Sequence, residues 1–275
     1  AAGRKETIMT VEEICEYLEE LAPARYACSW DNVGLMIGRK KQEVHRIYVS
    51  LDASEEAAEA AAELNCDLLV THHPLIFGEL HAATDATPTG RKLLMLAERG
   101  MSCFSMHTNF DIAPGCMADL AAERMGLRNC RPLEETCEGE GLGRVGELPD
   151  FLTCSELCER VRNCFGLPHV VLYGGNENVR VRRIALLPGS GRGEAGLALK
   201  AGAAAYITGD MGHHAALEAY ENGMPVIDAG HYGLEWIFVP FVADFLRDRL
   251  GEEAEIHEAP FHMPAAVYSA GGKQE

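Results

Sequence analysis

The sequence predicts an α/β protein made of two similar α/β domains. Three observations predict it. The chain has 275 residues, which at about 150 residues per domain fits two domains. Short apolar runs of strand length alternate with amphipathic stretches of helix length, and the alternation runs through two series. Between the series, residues 127–152 are rich in Glu, Gly, Cys and Pro, which marks a junction. The domains are therefore expected over 9–128 and 129–275.

The first series opens with Thr10 and Glu13 placed as a capping box, followed by Ile14, Leu18 and Leu21 at helical spacing. Val44 to Leu51 reads as a strand. Ser54 caps an Ala- and Glu-rich helix that ends near Leu64, and Asp67 to Val70 is a short buried strand. Gly90 to Arg99 reads as a helix stopped by Gly100, and Met101 to Met106 as a strand. Gly115 to Met125 is a further helix, stopped by Gly126. The second series has helices at Ser155 to Phe165, Gly193 to Ala201 and Met211 to Tyr220, then a largely helical region from His231 to Leu250. Its strands are Val170 to Tyr173, Ile184 to Leu187, Ala204 to Ile207 and Pro225 to Ile227, with a last strand within Glu255 to Val267. The polar stretch from Ala1 to Ile8 is left out of the fold.

Composition narrows the function. Lys and Arg number 24 and Asp and Glu 42, a formal net charge of −18. That argues against nucleic acid as a partner, because phosphate neutralisation needs clustered cations. It also disfavours docking on an anionic membrane, and no apolar run is long enough to span a bilayer. The ten cysteines include no C-x-x-C pair, and several lie in apolar stretches. They read as buried, reduced thiols of a cytoplasmic protein. Cys154, Cys158 and Cys164 could form a zinc knuckle, but their spacing suits one packed helix face better.

In open α/β sheets, ligands bind beyond the carboxyl ends of the strands. Four such ends carry metal-competent residues. Thr71-His72-His73-Pro74 follows one strand, and adjacent histidines on extended chain point different ways. His107 and Asp111 follow another. Asp228, His231 and Glu235 follow a third, where the spacing of four puts His231 and Glu235 on one helix face. Asp210, His213, His214 and Glu218 follow a fourth and repeat that spacing. Each group alone also fits a hydrogen-bonded loop or a surface His–Glu pair. Together they fit a dinuclear centre of mixed N/O ligands suited to Zn, Fe, Mn or Ni. A competing pattern is Gly191-x-Gly193-x-x-Gly196, with Asp210 beyond it, which matches a dinucleotide-binding turn. Pro188, Gly189 and Ser190 make that loop longer than the tight turn requires.

Six segments resemble one family in order and in content. They are residues 29–38 (from Ser29 to Gly38), 71–77 (Thr71 to Phe77), 88–91 (Pro88 to Arg91), 107–111 (His107 to Asp111), 207–211 (Ile207 to Met211) and 228–235 (Asp228 to Glu235). They are similar to the NIF-three-like dinuclear metal family, whose members are often named GTP cyclohydrolase I type 2 homologues. The resemblance implies two α/β domains with a two-metal site between them and a toroidal homohexamer. It implies that His73 and Asp111 hold one ion, that His72 and His231 hold the other, and that Glu235 bridges them. His107 and His214 resemble cavity-facing residues outside the ligand set, with proton transfer as their catalytic role. The implied activity is metal-dependent hydrolysis of a nucleotide-like or other small molecule; a non-catalytic metal-handling scaffold is the alternative. Gly78 and Glu79 stand where a Lys is common in the family, which removes an anion contact.

Overall fold

The computed structural model describes residues 8–275 except 138, 177, 264, 266, 270, 271 and 275, so the N-terminal stretch 1–7 lies outside the described residues. The chain divides into two compact units, residues 1–113 with 238–260, and residues 114–237 with 261–275. The domains expected over 9–128 and 129–275 are therefore not contiguous along the chain. Segment 238–260 belongs with the first unit, and 114–128 belongs with the second.

The first unit begins with α1 (Val11–Leu21), which has the capping box expected at Thr10 and Glu13. β1 (Gly34–Ile37), β2 (Arg46–Ser50), α2 (Glu55–Glu63), β3 (Leu68–Thr71), α3 (Pro88–Arg99), β4 (Ser102–Ser105) and the short α4 (Thr108–Ile112) follow. Ser54 caps α2 as expected, and Gly100 ends α3 in left-handed geometry. β3 lies parallel to β2 on one side and to β4 on the other, while β1 runs antiparallel to β4. β3 is buried at every residue, as a central parallel strand must be.

The second unit holds α5 (Met117–Met125), β5 (Arg128–Cys137), β6 (Glu140–Leu152), α6 (Cys154–Phe165), β7 (Val171–Tyr173), β8 (Val181–Ser190), α7 (Ala195–Lys200), β9 (Ala205–Gly209), α8 (His213–Glu221), β10 (Val226–Asp228) and α9 (His231–Glu235). Its sheet runs β5-β6-β8-β9-β10-β7, with β8, β9 and β10 parallel and the other pairs antiparallel. The segment read as a plain junction is thus two paired strands of this sheet. β5 is exposed at most positions and contains Pro132 at an edge, so it lacks the apolar alternation that marks a strand.

The chain then returns to the first unit through α10 (Phe238–Leu250) and β11 (Glu255–Glu258). β11 pairs parallel with β2 and completes a sheet of order β1-β4-β3-β2-β11. A short antiparallel pair, β12 (Val267–Ser269) and β13 (Gly272–Gln274), closes the described chain. None of the ten cysteines is in a disulfide. Among the described residues, no helix is long and apolar enough to cross a membrane.

Candidate metal centre

In the first unit, the carboxyl ends of β2, β3 and β4 point their residues to one place. The carbonyl of Leu51, just past β2, accepts the backbone N–H groups of both His72 (3.1 Å) and His73 (2.9 Å). The Thr71 hydroxyl donates to the carbonyl of His73 at 2.8 Å and lies 2.8 Å from the Ser105 hydroxyl. These bonds pin the turn that carries the two histidines. His72 is fully buried, and α10 backs it with the Phe238 ring at 5.2 Å, itself packed on Phe110 at 4.9 Å.

The three imidazoles of this cluster are oriented in the same manner. His72 Nδ1 faces the carbonyl of Met106 at 2.8 Å, His73 Nδ1 faces Asp52 Oδ1 at 2.7 Å, and His107 Nδ1 faces Asp31 Oδ1 at 2.9 Å. Each partner is an acceptor, so Nδ1 is the donor, which leaves Nε2 as the nitrogen that could ligate a metal. Histidines that bind metals are oriented through such second bonds. Ligand-competent atoms of His72, His73 and His107 lie within 4.8 Å of one another. Asp111 Oδ1 is 3.6 Å from His72 Nε2. Three imidazoles and a carboxylate make a donor set suited to borderline first-row divalent ions, so the residues fit the metal the resemblance implies.

Asp31 holds more than His107. Its Oδ2 accepts from the Thr108 backbone N–H (3.0 Å) and hydroxyl (2.6 Å). Burial raises its carboxyl, but the bonds from His107 and Thr108 outweigh that and hold it well below the ordinary carboxylate value.

The second unit offers a matching pair. Gly230 starts α9, and the Asp228 carboxylate accepts from the N–H groups of Gly230 (3.0 Å) and Met211 (2.8 Å), tying the ends of β9 and β10 together. His231 Nε2 then lies 3.0 Å from Glu235 Oε2, as the i, i+4 spacing requires, and Glu235 is buried. His231 Nδ1 faces Asp210 Oδ2 at 2.8 Å. Asp210 itself is held at φ +57°, a left-handed conformation uncommon outside Gly, Asn and Asp.

The sequence reading found the imidazoles and missed what positions them. Asp31 and Asp52 carry no role in the sequence analysis, and Asp210 stands there both among the metal-competent residues of the fourth strand end and as the acid beyond a dinucleotide-type turn. Asp52 and Asp210 share a signal of position, since each follows the end of a strand, as the histidines do. His214 is exposed on the first turn of α8 with its ring edge-on to His213 at 5.3 Å. Among the described residues it joins no group of three metal-competent side chains. The glycine-rich loop turns inward: Gly191 N–H donates to the Thr208 hydroxyl, and its carbonyl accepts from Tyr206. A Cβ at Gly191 would lie 2.1 Å from the Tyr206 oxygen, so that glycine serves close packing.

Fold and site together define a mixed α/β protein of two sheets whose strand ends gather metal-competent imidazoles and carboxylates. The chain belongs to the Duf34/NIF3 (NGG1p interacting factor 3) family, whose profile matches residues 9–263. It is 32% identical over 249 residues to a GTP cyclohydrolase 1 type 2 homolog of Clostridium perfringens, covering 90% of this chain and 95% of that one. It is 34% identical to a protein of the same name from Streptomyces coelicolor, covering 90% of each. Among solved structures, a Bacillus cereus protein related to NIF3 shares the fold at TM-score 0.89 and 22% identity, over 95% of this chain and 99% of that one. Reduced HcgD from Methanocaldococcus jannaschii matches at TM-score 0.82 and 30% identity, over 92% and 98%.

Proposed function

We propose that the chain is a dinuclear divalent-metal protein that hydrolyses a small, nucleotide-like substrate in the cytoplasm. His73 and Asp111 would hold one ion, His72 and His231 the other, and Glu235 would bridge them, as the family resemblance implies. The observation that carries this reading is the uniform bracing of His72, His73 and His231, each tied through Nδ1 to an oxygen. When bound, a pair of such ions acidifies a shared water and polarises the group under attack.

The chain's own residues set the rest. Asp31 fixes His107 so that its Nε2 can take or deliver a proton beside His72 and His73. His214 is the second proposed proton carrier. The name shared by the relatives points to purine nucleotides, with attack on the imidazole ring carbon and release of formate. A ring-shaped homohexamer is the proposed assembly.

The test combines metal analysis of purified protein with nucleotide turnover. Wild type is expected to hold about two ions per chain, as a two-metal site requires. Asp111→Ala and Glu235→Ala are expected to lose metal and turnover together. Unchanged turnover in stripped or ligand-deleted protein would refute the reading. Tight metal with no turnover of any purine nucleotide would favour the metal-handling scaffold, which the net charge of −18 also suits because it opposes a triphosphate.

A further inference from the structure

Two large aromatic rings stand exposed beside the imidazole cluster of the first unit. Trp30 is 63% exposed and Phe77 is 64% exposed. Their centroids are 6.0 Å apart in an edge-to-face arrangement, and each meets the His107 ring, at 6.1 Å and 6.2 Å. Solvent-exposed aromatics on mobile loops would carry no message, but these loops are fastened. Cys28 N–H donates to the Thr108 hydroxyl (2.9 Å), and Asp31 accepts from Thr108, so Trp30 is held between two anchors to α4. Asn32 Nδ2 donates to the carbonyl of Ile76 at 2.8 Å, which ties the Trp30 loop to the Phe77 loop.

We propose that Trp30 and Phe77 are a preset stacking site that seats a neutral, planar heteroaromatic ring against the His72–His73–His107 cluster. A fixed, largely exposed ring pair loses little conformational entropy when a ligand stacks on it. The charge of the loops selects within that class. Residues 28–34 and 74–80 contain Asp31 and Glu79 and no Lys or Arg, so they supply no cationic side chain for a phosphate. Recognition there runs through the ring rather than through an anionic tail. The proposal rests on the reading of this cluster as the reaction site, and it names the part of the substrate that the site grips.

The test is calorimetric titration with guanosine, GTP and ribose 5-phosphate, on chelator-stripped and metal-loaded full-length protein. Guanosine is expected to bind the stripped protein, and ribose 5-phosphate is not. Trp30→Ala and Phe77→Ala are each expected to weaken guanosine about tenfold, which corresponds to about 1.4 kcal/mol. Trp30→Phe, which keeps a ring, is expected to retain most of the affinity. Both alanine positions are exposed, and unchanged thermal unfolding checks that the variants fold. In stripped protein, GTP bound no tighter than guanosine supports recognition through the ring. No guanosine binding, or binding by both alanine variants as tight as by wild type, overturns the stacking site while leaving metal uptake intact. Guanosine binding by a protein that never takes up metal would instead overturn the dinuclear reading alone.

Discussion

His73 and His231 each lean on a carboxylate, Asp52 and Asp210, and those two contacts can be removed without emptying a core. Asp52 is about half exposed at its side chain, as is Asp210. Asp52→Asn and Asp210→Asn keep the size of the side chain and the tolerance of left-handed backbone. Each is expected to weaken divalent-metal affinity 10–100-fold, measured by competition with a chelator, with little change in unfolding temperature. Asp31 differs, because its side chain is buried and its charge is held by the fold. A folded-state pKa below the usual 3.8 means that the unfolded chain binds more protons. The Asp31 bonds therefore contribute stability above about pH 4 and lose it as pH falls. Asp31→Asn is expected to flatten the acid limb of the unfolding-temperature profile below about pH 5, read by scanning calorimetry.

Among the elements, those with strong local chemistry could be read from sequence. The capping box at Thr10, the Ser54 cap and the stops at Gly100 and Gly126 all form. The parallel strands β3 and β9 could be read because every residue is buried and the run is apolar. β1, β5 and β6 could not: β1 is four residues long and mostly half-buried, β5 is an exposed edge, and β6, although central, interleaves Gly, Glu, Arg and Pro with its apolar residues. The helical region from His231 to Leu250 is two helices, α9 and α10, and it is pairing far along the chain that assigns α10 and β11 to the first unit. The site histidines were visible as side chains, while their braces depend on backbone turns that spacing does not encode. The ends of β8 and β9 show this. Gly189 sits at φ +78°, and a Cβ there would lie 2.5 Å from Glu235 Oε1. A Cβ on Gly209 would lie 2.5 Å from the backbone nitrogen of His231. These glycines make room for α9. Gly209→Ala is expected to destabilise the protein by about 1–3 kcal/mol in urea unfolding, and Gly189→Ala to reduce metal content as well.

For the molecule as a whole, the thiols test how tightly it is built. Burial raises Cys66 and Cys103 to about 12, so neither is appreciably a thiolate near neutral pH. Iodoacetamide under native conditions is expected to spare both, and to label them once urea unfolds the chain; mass spectrometry of the peptides decides. The return of the chain to its first unit has a consequence for synthesis. The edge of β2 that β11 covers carries Ile47, Tyr48 and Val49, and Arg46 meets Glu255 across a separation of 209 residues. During translation that edge stays open until residues 255–258 have emerged, and the Phe238 ring that backs His72 arrives only shortly before. Non-local pairing of this kind is slow and leaves a growing chain prone to aggregate. A nascent chain stalled after residue 237 is expected to remain protease-sensitive and bound to chaperones, and one stalled beyond residue 260 to become resistant. A strand made more than 200 residues after β2 is thus the latch on the first unit to appear.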